Sequence, residues 1–160
     1  MLLELPRSFD ITPLKLPDCG THPQTLEIAG HAATTSGINN TRKPSKSPDL
    51  HCAEINIVDC DELKNTLKDK YPNAYKVKMY QHWFCGQMAG VDICFGDSGG
   101  GAVHKDTIYG VISFLGDPEY VCRKPVAFMD LCNPEYASWI KRNIPDLKGV
   151  SDMNTRKTNR

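Results

Sequence analysis

The sequence predicts a domain built mainly from β-strands. Short apolar or alternating runs recur along the chain, turn-forming residues separate them, and two segments have helical character. With 160 residues, of which 40% are hydrophobic, the chain is long enough for one domain with a core. Lys plus Arg and Asp plus Glu each number 19, so charge gives no reason to expect a nucleic-acid or anionic-membrane partner. No stretch approaches the length of a transmembrane span.

The predicted strands share either period-two alternation or a short apolar run. They cover residues 26–29, 53–57, 74–80, 102–104, 107–114 and 126–129. Lys105 and Asp106 lie between two of these runs and fit a two-residue hairpin turn.

Two helices interrupt the strands. The first covers residues 61–70, which are highly charged and place Leu63 and Leu67 four positions apart. The second follows Asn133, a good N-cap, and ends at Pro145. Pro134 takes its first position, and its apolar stripe consists of Tyr136, Trp139 and Ile140.

The remaining segments read as loop and tail. Residues 37–49 are rich in Asn, Lys, Pro and Ser and predict an exposed loop, which carries a candidate N-glycosylation site at Asn39. We expect one domain over residues 1–148 and a disordered tail over residues 149–160, which are polar.

Seven cysteines are many for a chain of this size, and they stand at positions 19, 52, 60, 85, 94, 122 and 132. Zinc sites usually need a close C-x-x-C pair, which is absent, so we expect disulfides, an oxidising extracellular compartment, and neither metal nor cofactor. The odd count and the start of the chain, which has no export signal, conflict with that expectation and indicate that something is missing.

The most specific motif is Gly96-Asp97-Ser98-Gly99-Gly100. A serine flanked by glycines lies in a tight turn that a ligand can approach closely. Backbone amides of Gly96 and Ser98 would then point at one spot beside the hydroxyl, as stabilisation of an oxyanion in acyl transfer requires. Taken alone, the motif is equally compatible with a Gly-Ser loop that has no chemistry.

The wider context resembles the chymotrypsin and trypsin-like serine proteases from residue 1 to about residue 143. The matching elements are Phe84-Cys85-Gly86, the run from Asp92 to Gly100, Gly110-Val111-Ile112-Ser113-Phe114, Cys122, and Trp139-Ile140. The resemblance implies a chymotrypsin-like Greek-key β-barrel, specifically the C-terminal barrel with part of the linker from the first barrel, followed by a C-terminal helix.

The resemblance also implies residue roles. Ser98 would be the nucleophile, and the amides of Gly96 and Ser98 would form the oxyanion hole. Asp92 falls at the base of the substrate pocket and implies cleavage after Arg or Lys, although it also reads as a solvated loop carboxylate. Asp97 would pair with the new N-terminus made by zymogen cleavage.

Several positions depart from the family pattern. Ser113 and Phe114 match the strand that pairs with substrate, but Leu115 and Val126 replace pocket glycines and would narrow the pocket. Gly101 replaces a proline, and residues 117–121 lengthen the following loop.

Carried onto this sequence, the family's disulfides pair Cys60 with Cys85, Cys94 with Cys122 and Cys19 with Cys132. Cys52 would stay unpaired, because its family partner belongs to an N-terminal half that this chain lacks. The triad aspartate and histidine should lie upstream of residue 1. His31 aligns with a tryptophan of the family, so we do not expect it to be catalytic.

Three functions compete. The first is a truncated, secreted trypsin-like endopeptidase, inactive alone, whose partners are polypeptide substrates or protein inhibitors. The second is a non-catalytic protease homologue that acts as a binding protein. The third, a cysteine-rich metal-binding domain, fails on the cysteine spacing.

Overall fold

A closed antiparallel barrel forms the body of the molecule in the computed structural model, which describes residues 2–7, 10–33, 35–43 and 45–144. Its strands within these ranges are β1 (Thr25–Ala32), β2 (Lys46–Val58), β3 (Trp83–Gln87), β4 (Gly101–His104), β5 (Thr107–Phe114) and β6 (Val126–Asp130). Their hydrogen-bonded order is β1-β2-β3-β6-β5-β4, and β4 pairs back onto β1 to close the barrel. The predicted all-β barrel is confirmed.

Three helices accompany the barrel in the described residues: α1 (Asp61–Lys70), α2 (Pro72–Lys78) and α3 (Pro134–Asn143). Both predicted helices are confirmed. The Asn133 side chain caps α3 by accepting a hydrogen bond from the Glu135 amide at 3.0 Å. Trp139, expected in its apolar stripe, is exposed. The expected helix end at Pro145 and the expected tail lie outside the described residues.

The strand predicted over residues 74–80 is wrong, because residues 72–78 form α2. Pro72 occupies its first turn, where the missing N–H costs nothing. The alternating pattern is not buried by a sheet: Val77 and Met79 are both more than half exposed. Tyr75 instead packs toward α1, with the Lys68 ammonium 5.4 Å from its ring centroid.

The segment between β1 and α1 contains more strand than predicted. β2 begins at Lys46, so the last part of the loop expected over residues 37–49 belongs to the sheet. Its earlier part contains a short 3-10 helix, Ile38–Asn40. Strand β3 is not among the predicted strands, since Phe84-Cys85-Gly86 contributes only to the family resemblance.

Two apolar clusters fill the barrel and the space beneath α1. The first centres on Phe128, which is fully buried and stacks on Phe84 with ring centroids 5.2 Å apart. Gly110 permits that stack, because a Cβ at this position would lie 2.7 Å from the Phe84 ring. The second cluster joins Leu63 and Leu67 of α1 to the barrel wall.

Two of the three disulfides implied by the family resemblance are present, Cys19–Cys132 and Cys60–Cys85. Cys94 and Cys122 are free thiols in this structure, so the pairing of these two cysteines stays a prediction. Separate carboxylates hold their backbones: the Cys94 amide donates to Asp97 at 3.0 Å, and the Cys122 amide donates to Asp92 at 2.5 Å. Cys52 is free and exposed, as expected.

Candidate active site

The loop between β3 and β4 presents the glycine-flanked serine. The Asp97 amide donates to the Cys94 carbonyl at 3.1 Å, and the Gly100 amide donates to the Asp97 carbonyl at 3.0 Å, so two consecutive turns form the loop. Gly96 has a φ of 108° and Gly99 a φ of 93°, which only glycine adopts without strain. The motif therefore consists of glycines because the backbone turns left-handed on both sides of Ser98.

The turn is fastened to strand β5. The Gly99 amide donates to the Ile112 carbonyl, and the Ile112 amide donates to the Gly100 carbonyl, each at 2.8 Å. This pairing brings Ser98 beside Ser113, whose carbonyl accepts from the Ser98 hydroxyl at 3.4 Å. The barrel thus holds the exposed serine hydroxyl against a rigid strand.

Two backbone amides around Ser98 have no backbone acceptor among the described residues. Within the part of the chain that the structure describes, neither the Gly96 amide nor the Ser98 amide donates to another backbone group. A Cβ at Gly96 would have nothing within 4 Å, so this side of the turn is open. Gly96 and Ser98 are both exposed, so a ligand can reach this turn.

No imidazole accompanies Ser98. The five histidines stand within the described ranges, at positions 22, 31, 51, 82 and 104, and none of them hydrogen-bonds to the serine. His31, which the sequence ruled out as a base, places Nδ1 3.3 Å from the Ser47 carbonyl oxygen. The general base that a serine nucleophile needs is therefore not supplied by any residue described here.

Asp97 turns inward from the same loop. Its carboxylate accepts hydrogen bonds from the Ala32 amide at 3.2 Å and from the Cys94 amide at 3.0 Å. It thereby joins the motif to the end of β1. The expected pairing of Asp97 with a new N-terminus stays a prediction.

The buried carboxylate of Asp92 has three hydrogen-bond donors. Its carboxylate accepts from the Cys122 amide at 2.5 Å, the Ile93 amide at 2.8 Å and Nη2 of Arg42 at 2.7 Å. The Arg42 and Asp92 side chains are only 3% and 8% exposed. Burial raises the pKa of Asp92, while the Cys122 hydrogen bond and the Arg42 charge oppose that rise. The solvated-carboxylate interpretation of Asp92 does not describe this environment.

Arg42 is the residue of this region that the sequence did not indicate. Besides its bond to Asp92, its guanidinium donates to the Asp117 carbonyl at 2.6 Å and to the Ile93 carbonyl at 2.8 Å. It follows directly after the sequon in a polar loop, and no periodicity or motif marks it. Its partners lie about fifty or more positions away, so only the fold reveals the contact.

The other expected pocket residues pack into the barrel and against Trp83. Phe114 packs against Trp83, with ring centroids 5.5 Å apart, on the side of α1. Val126 is 2% exposed and belongs to the barrel core, against which Leu115 also packs. The structure thus brings Ser113 to Ser98, and the role of Phe114, Leu115 and Val126 in a substrate pocket stays a prediction.

A cavity of about 500 Å³ opens on the barrel side of the same loop. Gly30, Asp92, Asp97 and Cys122 are among its lining residues, whereas Ser98 is not. Across the described ranges, no group of three or more His, Cys, Asp or Glu side chains could hold a metal ion, and no helix is both long and apolar enough to cross a membrane.

A closed barrel that carries an exposed serine on a left-handed Gly-Asp-Ser-Gly turn is typical of chymotrypsin-like proteases. The family model for trypsin matches residues 1–140, and the chain therefore belongs to the trypsin family.

Curated relatives support this assignment. The chain is 32% identical to human kallikrein-11 over 120 residues, which cover 72% of this chain and 39% of that protein. It is 31% identical to human kallikrein-8 over 137 residues, which cover 84% of this chain and 46% of that protein. The chain thus spans less than half the length of these relatives.

Solved structures show the same fold. A scabies mite inactivated protease paralogue superposes with a TM-score of 0.63 at 27% identity, over 89% of this chain and 58% of that one. Neuropsin, a serine protease expressed in the limbic system of mouse brain, superposes with a TM-score of 0.61 at 29% identity, over 84% of this chain and 54% of that one.

Proposed function

We propose that this chain supplies the nucleophile half of a trypsin-like serine endopeptidase site. Ser98 is the nucleophile, and the amides of Gly96 and Ser98 receive the oxyanion of the tetrahedral intermediate. The observation that carries the proposal is the turn itself, in which an exposed hydroxyl lies beside two backbone amides with no backbone partner among the described residues.

The described residues alone are not a working triad. A serine without a neighbouring base is a weak nucleophile, and proteases that lack triad members retain only the small rate due to the oxyanion hole and binding. Leu3, Leu5 and Ile11 are exposed on the segment that precedes the barrel, as expected if further protein covers them. We therefore expect hydrolysis only from a form in which other residues provide the histidine and aspartate.

The substrate class follows from Asp92. A carboxylate at the base of a pocket favours a cationic side chain, so the proposed substrates are polypeptides cleaved after Arg or Lys, and the proposed partners include protein inhibitors. Two disulfides in the structure support an extracellular location, since such bridges persist in oxidising compartments. The same location would expose Asn39 to glycosylation, and this residue lies on the surface.

Labelling by a fluorophosphonate probe tests the nucleophile. We expect the full-length protein to react at Ser98 and to lose both labelling and peptidase activity in Ser98→Ala. Ser138→Ala, on the exposed face of α3, is the matched control and should behave like the wild type. Equal activity of the Ser98→Ala and wild-type full-length proteins would reject the assignment.

A second function, that of a non-catalytic binding protein, has one specific observation in its favour. The carboxylate that should receive the substrate is already bound to Arg42 of the same chain. The similarity to an inactivated protease paralogue agrees with this alternative. It predicts that the full-length protein remains unlabelled by the probe while it stays folded.

A further inference from the structure

The cationic partner of the Asp92 carboxylate is supplied by the chain itself. The Arg42 guanidinium reaches the carboxylate at 2.7 Å and donates two further hydrogen bonds, to carbonyl oxygens of Ile93 and Asp117. A guanidinium has five N–H groups in a planar fork, so three of them are accounted for by these contacts. Arg42 occupies its place much as a bound cationic ligand would.

The loop that carries Arg42 is tied to a second loop. The Arg42 amide donates to the Glu119 carbonyl at 2.8 Å, and the Val121 amide donates to the Asn40 carbonyl at 2.9 Å. Thr41 and Tyr120 form an isolated antiparallel bridge between these bonds. The guanidinium can leave Asp92 only if this short ladder opens or the side chain rotates away from three acceptors.

The second loop is itself braced. The Asp117 carboxylate accepts from the amides of Glu119 and Tyr120 at 2.9 and 3.0 Å, and Asp117 is buried. The inserted residues that lengthen this loop therefore fold into a platform for Arg42. A feature that the sequence presents as an insertion acts in the structure as a support.

We propose that Arg42 is an internal occupant of the specificity pocket, which keeps Asp92 closed to cationic ligands until the loops of residues 40–42 and 119–121 separate or the Arg42 side chain rotates away. A substrate arginine or lysine, or a protein inhibitor that presents one, must displace it. The apparent affinity for such a ligand is reduced by the fraction of molecules in which Arg42 is bound. The inference rests on the proposed function only in taking Asp92 as the cation site.

Benzamidine, a small aromatic cation, is the probe. We expect Arg42→Met, which removes the charge but keeps the chain length, to bind benzamidine about tenfold or more tightly than the wild type by calorimetry. The double variant Arg42→Met, Asp92→Asn should not bind it, because the carboxylate is gone. Tighter binding by the single variant alone supports the internal occupant.

Two results would overturn the inference. Equal affinity of wild type and Arg42→Met would show that Arg42 does not close the pocket. A folded Arg42→Met variant that binds no benzamidine would show that the ion pair is structural only. Circular dichroism at the temperature of the titration establishes that the variant is folded.

A measurement on the wild type tests the proposal even if Arg42→Met does not fold. The Arg42 Nε proton, bound to a buried carbonyl, should exchange with solvent much more slowly than that of Arg123, whose side chain is 51% exposed. Added benzamidine should accelerate that exchange as it displaces Arg42. Exchange as fast as that of Arg123 before benzamidine is added would contradict the closed pocket.

Failure of this inference is distinguishable from failure of the proposed function. Benzamidine binding does not require Ser98, whereas fluorophosphonate labelling does. Binding by Arg42→Met without labelling of the full-length protein would reject catalysis and retain the internal occupant. Labelling of the full-length protein, together with equal benzamidine affinities of the wild type and Arg42→Met, would retain catalysis and reject the internal occupant.

Discussion

The backbone of Gly30 lies directly against the carboxylate of Asp97. A Cβ built on Gly30 would overlap the Asp97 carboxylate, which leaves no room for any side chain. The same carboxylate binds the Ala32 amide two residues further along β1. The end of this strand and the residue before Ser98 therefore fix each other's position.

Gly30→Ala should destabilise the chain and disturb the serine turn together. Overpacking of this kind costs about 1–3 kcal/mol, because Asp97 must shift and weaken its bonds to backbone amides. Urea unfolding measures the loss, and amide chemical shifts of residues 94–99 report the displacement. Gly20→Ala is the control, since its nearest atom would lie 3.9 Å away. Equal midpoints for the two variants would contradict the tight contact.

The capping of α3 gives a second prediction. Asn133→Ala removes the side-chain acceptor of the Glu135 amide and should lower the free energy of unfolding by about 1 kcal/mol. Asn65→Ala is the control, because Asn65 is exposed inside α1, where alanine is the better helix former. We expect the two variants to shift the thermal midpoint in opposite directions. A shift of the same sign in both would argue against the cap.

Much of the fold could be predicted from the sequence because local chemistry determines it. The Asn133-Pro134 start of α3 and the leucine spacing of α1 are short-range signals, and both helices form where expected. The strand predicted for the segment that forms α2 is wrong because the alternation of this segment imitates a strand. The segment packs against helix α1 and not against a sheet, and its residue pattern does not indicate this partner.

The candidate site also has one part that the sequence predicts and one part that it does not. The turn around Ser98 depends on glycines that are adjacent in sequence, so the motif was sufficient to find it. The surroundings of Asp92 depend on Arg42, fifty positions away, whose contact comes from how two loops meet. The carboxylates that bind the amides of Cys94 and Cys122 are likewise brought there by tertiary contacts that spacing does not encode.

The three free cysteines should differ in reactivity. Iodoacetamide is expected to modify exposed Cys52 first. Burial and the nearby charge of Asp92 raise the pKa of the Cys122 thiol, which keeps it protonated and slow to react. Three thiols should titrate in denaturant without reductant, and Cys52→Ser should remove the fast-reacting one. Titration of a single thiol would mean that Cys94 and Cys122 are bridged.

The ion pair between Arg42 and Asp92 makes stability depend on pH in a defined direction. Arg42→Met leaves a buried carboxylate without its cation, which costs about 3–5 kcal/mol when it is ionised. Burial already raises the pKa of Asp92 above its ordinary value of 3.8, and loss of the Arg42 charge raises it further. The folded variant therefore holds its proton more tightly than the unfolded chain. Relative to the wild type, the loss of unfolding free energy in Arg42→Met is full above the pKa of Asp92 in the folded variant. The loss shrinks as pH falls through that pKa toward 3.8, the ordinary value of the carboxyl.

Urea unfolding at about pH 7 and about pH 4 measures this change. Arg142→Met, which alters an exposed side chain near the end of α3, is the control and should have little effect at either pH. A deficit that does not change with pH would assign the loss to the carbonyl contacts of Arg42 instead of its contact with Asp92.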